Sequence, residues 1–578
     1  MNESLKTNLN IHFQTIYGDI LNQNEILNLI KEVIDLFGTY DNDQAEPRWS
    51  QEDIFLISYG DTFYEKNEKK LKSLSKFLDK YASAYFNNLH ILPFFPFSSD
   101  DGFSITDYEN IRDDLGQWSD IKSLSNKCRL MSDIVINHAS IKSKYFEEFS
   151  QNSEDFKDFF IALNDTNGFE DVIRPRSSDL FREIKINEET LKLWCTFSHD
   201  QIDLNFKNPK VLLFFLKLIN FYLKNGIKVF RLDAIAFLWK ERNTTCLNLL
   251  QTHEIVKLIR TLLNAYSKDT LLITETNLPN LENLSYFGNG DEANAIYNFA
   301  LPPLLLWTLL MGDTTAIRKW SMGMPPARDH TTYFNFIASH DGIGIRPTEG
   351  ILTDKERSTL VNIIKDFGGE ISYRKNSDKS ESVYELNIAL VDALKGTFKG
   401  IDHMQAERFI AAHAIMLSLE GIPAFYIHSI LGTPNDFELV KKTKNKRSIN
   451  RKSWNLDVID KLLSDPKSQN FIIYTQLKRL IEIRKKQSAF HPNAIQFTFN
   501  LGSNFFGIWR QSLDKKQSIF SVTNVTNVFQ YLDLSELNLI ESNEWWDLIS
   551  NEIIIDIKET ISLKAYQTVW IKIGRAHV

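Results

Sequence analysis

Residues 226–240 read Gly-Ile-Lys-Val-Phe-Arg-Leu-Asp-Ala-Ile-Ala-Phe-Leu-Trp-Lys. Ahead of them, Val211 to Leu223 (VLLFFLKLINFYL) predicts a mostly buried helix. Lys224-Asn225-Gly226 stops it, with glycine as the C′ residue. Ile227 to Leu232 then predicts a short buried strand carrying Arg231 and running into Asp233. Burying unpaired charge is costly, so the pair needs a reason. One reading is a structural ion pair. The other is a carboxylate nucleophile held by an arginine at the C-terminal mouth of a parallel barrel.

The flanking chain alternates between strands and helices. Strands are predicted at Asp53–Ser58, Leu89–Leu92, Leu130–Ile136, Leu271–Thr274, Ala295–Tyr297, Tyr333–Phe336 and Ala424–Ile427, which with Ile227–Leu232 make eight. Between them lie helical patterns such as Lys69–Tyr81 and His253–Tyr266. Such alternation implies right-handed βαβ units and a parallel sheet. The expected fold is an α/β (β/α)8 barrel, with an open doubly wound sheet as the structural alternative. The barrel would take residues 51–136 and 209–488. An inserted subdomain at 137–208 and a second excursion at 346–400 interrupt it. Residues 1–50 read as an N-terminal helical extension, with a helix over Asn22–Phe37 and a polar linker over Thr39–Glu52. From Ala489 the pattern turns to period two, so 489–573 reads as an all-β domain. Residues 574–578 end an off-pattern tail, Ile573 to Val578, read either as frayed chain or as a non-native extension.

Composition narrows the function classes. The chain has 578 residues, too many for one core. Its formal charge is −8 with both signs dispersed, which points to neither nucleic acid nor an anionic membrane as partner. Three cysteines, Cys128, Cys195 and Cys246, without metal-type spacing suggest a reducing compartment and a cytoplasmic location. No signal peptide is read at the N-terminus, and the longest apolar run, Phe299–Met311, contains two prolines and is too short to span a bilayer. Neither a Walker A loop nor G-x-G-x-x-G is present.

Five short stretches fall at predicted strand ends: Asp133 to His138, Gln201 to Phe206, Arg231-Leu-Asp233, Ile273-Thr-Glu275-Thr276, and Ser339-His340-Asp341-Gly342. With them come Leu92-Pro-Phe-Phe-Pro-Phe-Ser-Ser-Asp-Asp-Gly-Phe103, Ala338 to Pro347, Gly421 to His428 and Ser448-Ile-Asn-Arg451. On these motifs the chain resembles the α-amylase superfamily, glycoside hydrolase family 13, over roughly Gln51 to Ile573. Within it, the chain looks like the branch of sucrose phosphorylase and its relatives. The resemblance implies Asp233 as nucleophile, Glu275 as general acid/base and Asp341 as the third acid, with Arg231 keeping Asp233 ionised. Glu275 is expected to have its pKa raised by the neighbouring carboxylates. The resemblance places His138 and His340 on the glucosyl ring, and Asp61 with Arg451 on its far hydroxyls. Tyr108 stands where sucrose phosphorylase has a histidine and is carried as a substrate-binding candidate. Phe237 and Trp239 are read as packing, with the acceptor side as the other possibility.

Arg174, Arg176 and Arg346 fall in loops expected around the acceptor and are anion-binding candidates. No metal is expected, although some relatives bind calcium near the residue matching Asn137, and no organic cofactor is implied. The expected activity is a glucoside phosphorylase making α-glucose 1-phosphate from inorganic phosphate and a small glucoside, with 2-O-α-glucosylglycerate favoured. Sucrose 6-phosphate or sucrose phosphorolysis, an α-glucosidase or transglucosidase, and a silent barrel serving as a binding subunit remain as alternatives. A monomer or homodimer is expected.

Overall fold

In the computed structural model the described residues are 3–37, 48–186, 189–328, 330–375, 380–537, 545–554 and 560–573. Eight parallel strands close into a barrel: β1 (Phe55–Ser58), β2 (Asn88–Ile91), β3 (Arg129–Val135), β4 (Ile227–Asp233), β5 (Leu271–Thr274), β6 (Ala295–Tyr297), β7 (Thr332–Asn335) and β8 (Ile422–Tyr426). Neighbours in sequence are neighbours in the ring, and β1 closes on β8 with Ile57 opposite Tyr426. The strands are largely buried on both faces because side chains fill the interior and helices cover the outside. β1 and β5, for instance, are buried at every position.

Helix α3 (Pro209–Lys224) shows how local sequence sets one crossover. Asn208 caps it by accepting from the Lys210 N–H, and Pro209 sits in its first turn. Gly226 follows at φ +94°, where a Cβ would meet Ser125 Oγ at 2.4 Å. The chain therefore turns into β4 at a position only glycine fits. In β4, Arg231 lies opposite Asp133 of β3, and Asp233 opposite Val135, which fixes both charges at the strand's C-terminal end.

Between β3 and α3, strands 138–140 and 201–203 pair antiparallel, and a three-stranded sheet forms from 162–163, 181–186 and 189–194. The second excursion, read as irregular, forms regular elements in its described residues. A Thr353–Glu356 capping box starts a helix at Asp354–Asp366. The hairpin 370–375/381–387 then pairs with 343–344 at the mouth of the barrel.

An unforeseen helix, α1 (Glu3–Tyr17), precedes α2 (Gln23–Phe37). It lies against α4 (Leu250–Tyr266), where His12 bridges Glu254 at 2.6 Å and Thr261 at 3.0 Å. The last unit is a six-stranded antiparallel sheet of β9 (Ile495–Thr498), β10 (Phe505–Gln511), β11 (Ser518–Asn524), β12 (Trp545–Asp547), β13 (Glu552–Ile554) and β14 (Thr568–Ile573), in the order 9-10-11-14-12-13. Residues 502–503 of this unit accept from Thr314, just past α5 (Leu301–Met311). Every residue of α5 but Met311 is buried, so its apolar run is an internal helix. Among the described residues no helix is long and apolar enough to cross a membrane. The tail read at 574–578 and most of the predicted linker lie outside the described residues.

Candidate active site

The strand ends converge on a small pocket of about 50 Å³ whose walls include His138, Asp233, Glu275, His340 and Asp341. Arg231 organises it from below. Its guanidinium bonds Asp133 at 2.5 Å and Asp233 at 2.7 Å, and stands 3.9 Å from Glu275. Asp133 is held in turn by His90 at 2.8 Å. After Asp233 the chain kinks: Ala234 takes φ +53°, a left-handed conformation costly for a side chain with a Cβ. The kink aims the Ala234 N–H at Glu275 Oε2, 3.0 Å away.

Four carboxyls share this space in different electrostatic states. Burial pushes Asp233 well up, with Glu275 and Asp133 adding to it against the attraction of Arg231. Burial also raises Glu275, joined by Asp341 and opposed by Arg231. The direction for Glu275 matches the sequence expectation, but burial is the larger cause. Against the same upward push, Arg447, His340 and Arg451 hold Asp341 below the ordinary carboxylate range. His90 and Arg231 likewise hold Asp133 at about 2. Asp341 and Asp133 are thus anions at neutral pH. Asp233 and Glu275 form a pair that burial raises, Asp233 the more strongly. The hydrogen bond from Arg231 opposes burial at Asp233 without outweighing it, contrary to the expectation that Arg231 keeps Asp233 ionised. His340 is pushed down to about 3 by burial and stays neutral, stacked on Phe103 with ring centroids 4.9 Å apart. His138 is also lowered by burial and approaches the Phe103 carbonyl at 2.9 Å.

Several expected residues are elsewhere engaged. Tyr108 does not offer its hydroxyl to the pocket: it is buried and faces the Val135 and His138 carbonyls at 2.9 and 2.8 Å. Asp61 and Arg451 are not joined. Asp61 pairs with Arg112 at 2.5 Å, whereas Arg451 pairs with Asp101 and lies 3.6 Å from Asp341. Asp100 and Asp101 both take left-handed backbone conformations, φ 54° and 48°, which bring their carboxylates toward Arg447 and Arg451. Arg174 is corrected from anion binder to loop staple, because its guanidinium donates to the carbonyls of Thr196, Ser178 and Cys195. Trp239 is buried against Tyr17 and serves packing.

Arg176 and Arg346 do reach the site. Arg176 lines the pocket and lies over the rings of Phe197 and Tyr384. Arg346 lines an adjoining chamber of about 40 Å³ together with Glu275, Asn277, Phe237, Tyr384 and Arg374. The sequence reading missed Arg447, which bonds Asp341 at 2.6 Å and clasps Glu385, and it missed Arg374. Arg374 lies on a strand of the hairpin, and Arg447 lies on a 3-10 turn immediately before the Ser448–Arg451 motif, which could have drawn attention to it. Beside Asn137, the Lys240 ammonium sits 3.0 Å from Asn137 Oδ1 and 2.7 Å from Asp203, so a side chain supplies positive charge there. Among the described residues no group of three His, Cys, Asp or Glu is arranged to hold a metal ion.

The α-amylase catalytic-domain family matches residues 59–330. A glucosylglycerate phosphorylase of Spirochaeta thermophila is 38% identical over 528 residues, 90% of this chain and 89% of that protein. The chain belongs to the α-amylase family. Another glucosylglycerate phosphorylase, from Escherichia coli, is 37% identical over 92% of this chain and 93% of its own length. Among solved structures, the sucrose 6F-phosphate phosphorylase of Thermoanaerobacter thermosaccharolyticum superposes with a TM-score of 0.72 at 25% identity, covering 90% of this chain and all of that one. As a member of the α-amylase family with phosphorylase relatives along nearly its whole length, the protein is a glycosyl-transferring enzyme rather than a silent barrel.

Proposed function

We propose that the enzyme transfers a glucosyl group from 2-O-α-glucosylglycerate to inorganic phosphate, releasing glycerate and α-D-glucose 1-phosphate with retention of configuration. The observation that carries this reading is the run of relatives at 36–38% identity over at least nine-tenths of the chain, each a glucosylglycerate phosphorylase. The site supports it, since three acids line one pocket and an arginine-lined chamber adjoins it beside Glu275.

In this mechanism Asp233 attacks the anomeric carbon while Glu275 protonates the departing glycerate oxygen. Glycerate leaves, and phosphate attacks the glucosyl ester from the same side, giving its proton back to Glu275. Asp341, held as an anion, faces the positive charge that develops on the sugar. His138, His340 and Arg451 hold the glucosyl hydroxyls. Asp61 and Arg451 would have to exchange their present partners to share them. Arg231 steadies Asp233 and opposes the burial that raises it.

Synthetic-direction kinetics test the assignment. With glucose 1-phosphate as donor, D-glycerate should give the highest kcat/KM among D-glycerate, glycerol, fructose and fructose 6-phosphate. A preference for glycerol or fructose overturns the anionic acceptor. A preference for fructose 6-phosphate, the aglycone class of the sucrose 6F-phosphate phosphorylase, overturns glycerate alone.

A further inference from the structure

The chain that leaves β2 forms a loop, Ser98-Ser99-Asp100-Asp101-Gly102-Phe103-Ser104, that meets the pocket at several points. Asp101 pairs with Arg451, and Asp100 stands 4.0 Å from Arg447. The Phe103 ring stacks on His340, and its carbonyl meets His138. Asp100 and Phe103 are themselves pocket walls. The loop keeps this shape against its own backbone preferences. Asp100 and Asp101 are consecutive left-handed residues that carry a Cβ, and Gly102 follows at φ +116°, where a Cβ would meet the Pro93 carbonyl oxygen at 2.9 Å. Such a run persists only where surrounding contacts over-determine it.

Several of those contacts converge on one carboxylate outside the pocket. Asp200, half-buried in the segment between β3 and α3, accepts from Ser98 Oγ at 2.5 Å, from Ser104 Oγ at 2.7 Å and from Ser99 Oγ. Ser140, two residues after His138, reaches its other oxygen at 3.4 Å and lies 2.6 Å from Ser98 Oγ. The Asp200 carbonyl accepts from the Ile141 N–H at 2.8 Å. Each hydroxyl has one proton to give, and an ionised carboxylate, which only accepts, suits them all. Against the upward push of burial, the Ser98, Ser99 and Ser104 hydroxyls hold Asp200 below the ordinary carboxylate range. Gln201, next in the chain, adds a donation to the Phe103 carbonyl at 3.2 Å. The neck of the loop closes without this help, since the Ser98 N–H bonds the Ser104 carbonyl at 3.0 Å. That bond does not fix how the loop sits against the pocket. Asp200 does, because it ties the neck to the strand that carries His138.

We infer that Asp200 is a positioning residue for the transfer reaction: it seats the 98–104 loop so that Asp101 reaches Arg451 and Phe103 reaches His340. Without it the loop relaxes from its left-handed turn, Arg451 loses its acidic partner, and the wall around the anomeric carbon shifts. A displacement of about 1 Å caused from a distance can cost on the order of 100-fold in rate. Resting on the reading that this pocket takes the glucosyl group, the loss is common to every donor, because each presents the same ring to the same wall. Water and phosphate attack the same glucosyl-enzyme, so the competition between them is left as it was.

The test compares Asp200→Ala, Asp200→Asn and Ser99→Ala with wild type, with a thermal midpoint for each. Asp200→Ala should lower kcat/KM by about 10–100-fold, and by the same factor with glucosylglycerate and with glucose 1-phosphate as donor. The ratio of phosphorolysis to hydrolysis at fixed phosphate should stay within about twofold of wild type. Asp200→Asn keeps an oxygen for the serines, and a neutral acceptor holds about half as strongly as a charged one, so a smaller loss of about 3–10-fold is expected. Ser99→Ala should lower kcat/KM on its own and add nothing to Asp200→Ala, since its hydroxyl acts through the carboxylate. A lowered midpoint with wild-type kcat/KM overturns the inference. So does a loss that differs between the two donors or changes the ratio of phosphorolysis to hydrolysis, because the residue would then act on the acceptor. Should Asp200→Ala fail to fold, Asp200→Asn and Ser99→Ala decide by the same criteria. If wild type does not cleave glucosylglycerate, the named donor fails, and the common loss is then read on the glucoside it prefers together with glucose 1-phosphate.

Discussion

At the C-terminal ends of the barrel strands, Arg231, Arg447 and Arg451 are each paired with carboxylates. At the opposite end, Arg484 and Arg510 are just as buried but donate to backbone carbonyls. Arg484 bonds those of Leu417 and Phe490, and Arg510 those of Ser418, His491 and Ala494. The electrostatic outcomes diverge. At the mouth, anions outweigh burial and Arg231 and Arg447 titrate well above the ordinary range. At the base, burial dominates and brings Arg484 to about 9 and Arg510 to about 10. A carbonyl-capped arginine joins segments without presenting an anion to anything else. A carboxylate-paired one keeps nearby acids in chosen protonation states, and its partners can be exchanged for substrate. The same side chain is a fastener at one end and part of a reactive charge network at the other.

The strongest way to break the network at the mouth is to remove the acid that Arg231 holds. Asp233→Asn should lower phosphorolysis by at least about 10⁴-fold, the scale seen when a covalent nucleophile is lost. The measurement is glucose 1-phosphate release at saturating donor and phosphate, together with mass spectrometry for a glucosylated enzyme, which the variant should not form. Near wild-type turnover would remove Asp233 from the role proposed for it.

The base should respond in stability and not in catalysis. Arg510→Met leaves three carbonyls between the β sheet and the barrel without their donor. Each such loss costs about 1–3 kcal/mol, so a total of at least about 3 kcal/mol is expected. Urea denaturation would report it as a lower midpoint, with the KM values for phosphate and glycerate staying at wild-type levels below the transition. A changed KM with an unchanged midpoint would mean that the two ends are coupled and the contrast drawn above is wrong.

What the sequence made legible follows the same division between local and distant causes. The eight barrel strands show as apolar runs separated by helical periodicity, and Gly226 and the Arg231–Asp233 spacing are local features of one strand. Asp233, Glu275 and Asp341 could be located together because each ends or follows a strand of one ring. Helix α1 was missed because its buried residues, Leu9, Phe13, Ile16 and Tyr17, are few and leave residues 3–8 without a buried apolar residue. The Thr353–Glu356 capping box was readable and went unread, so a built segment passed for an irregular one. Pairings such as Arg451–Asp101 and Arg447–Glu385 join residues far apart in the chain, and no local pattern announces them. Arg174 and Arg346 illustrate the limit best. Both are loop arginines next to a proline, and only the fold reveals that carbonyls surround the first and an open chamber meets the second.

The smallest expected effect concerns Tyr108, a substrate-binding candidate in the sequence whose hydroxyl the fold turns away from the pocket. Its hydroxyl can donate one hydrogen bond, and the carbonyls of Val135 and His138 both lie in reach. These carbonyls flank the turn that carries Asn137 and His138 out of β3, so the hydroxyl fixes a segment of the pocket wall. Tyr222 reinforces the arrangement by donating to the Tyr108 carbonyl at 2.7 Å. Tyr108→Phe preserves the ring contacts with Tyr145, Phe214 and Phe215 and removes only the hydroxyl. One neutral hydrogen bond in a buried place contributes about 1 kcal/mol, so a loss of about that size in unfolding free energy is expected. The KM for the glucosyl donor should stay within about twofold, since no direct contact with the sugar is removed. A tenfold rise in donor KM at unchanged stability would show that the hydroxyl leaves its carbonyls and reaches the sugar when the pocket fills. The mouth would then exchange neutral partners as well as charged ones.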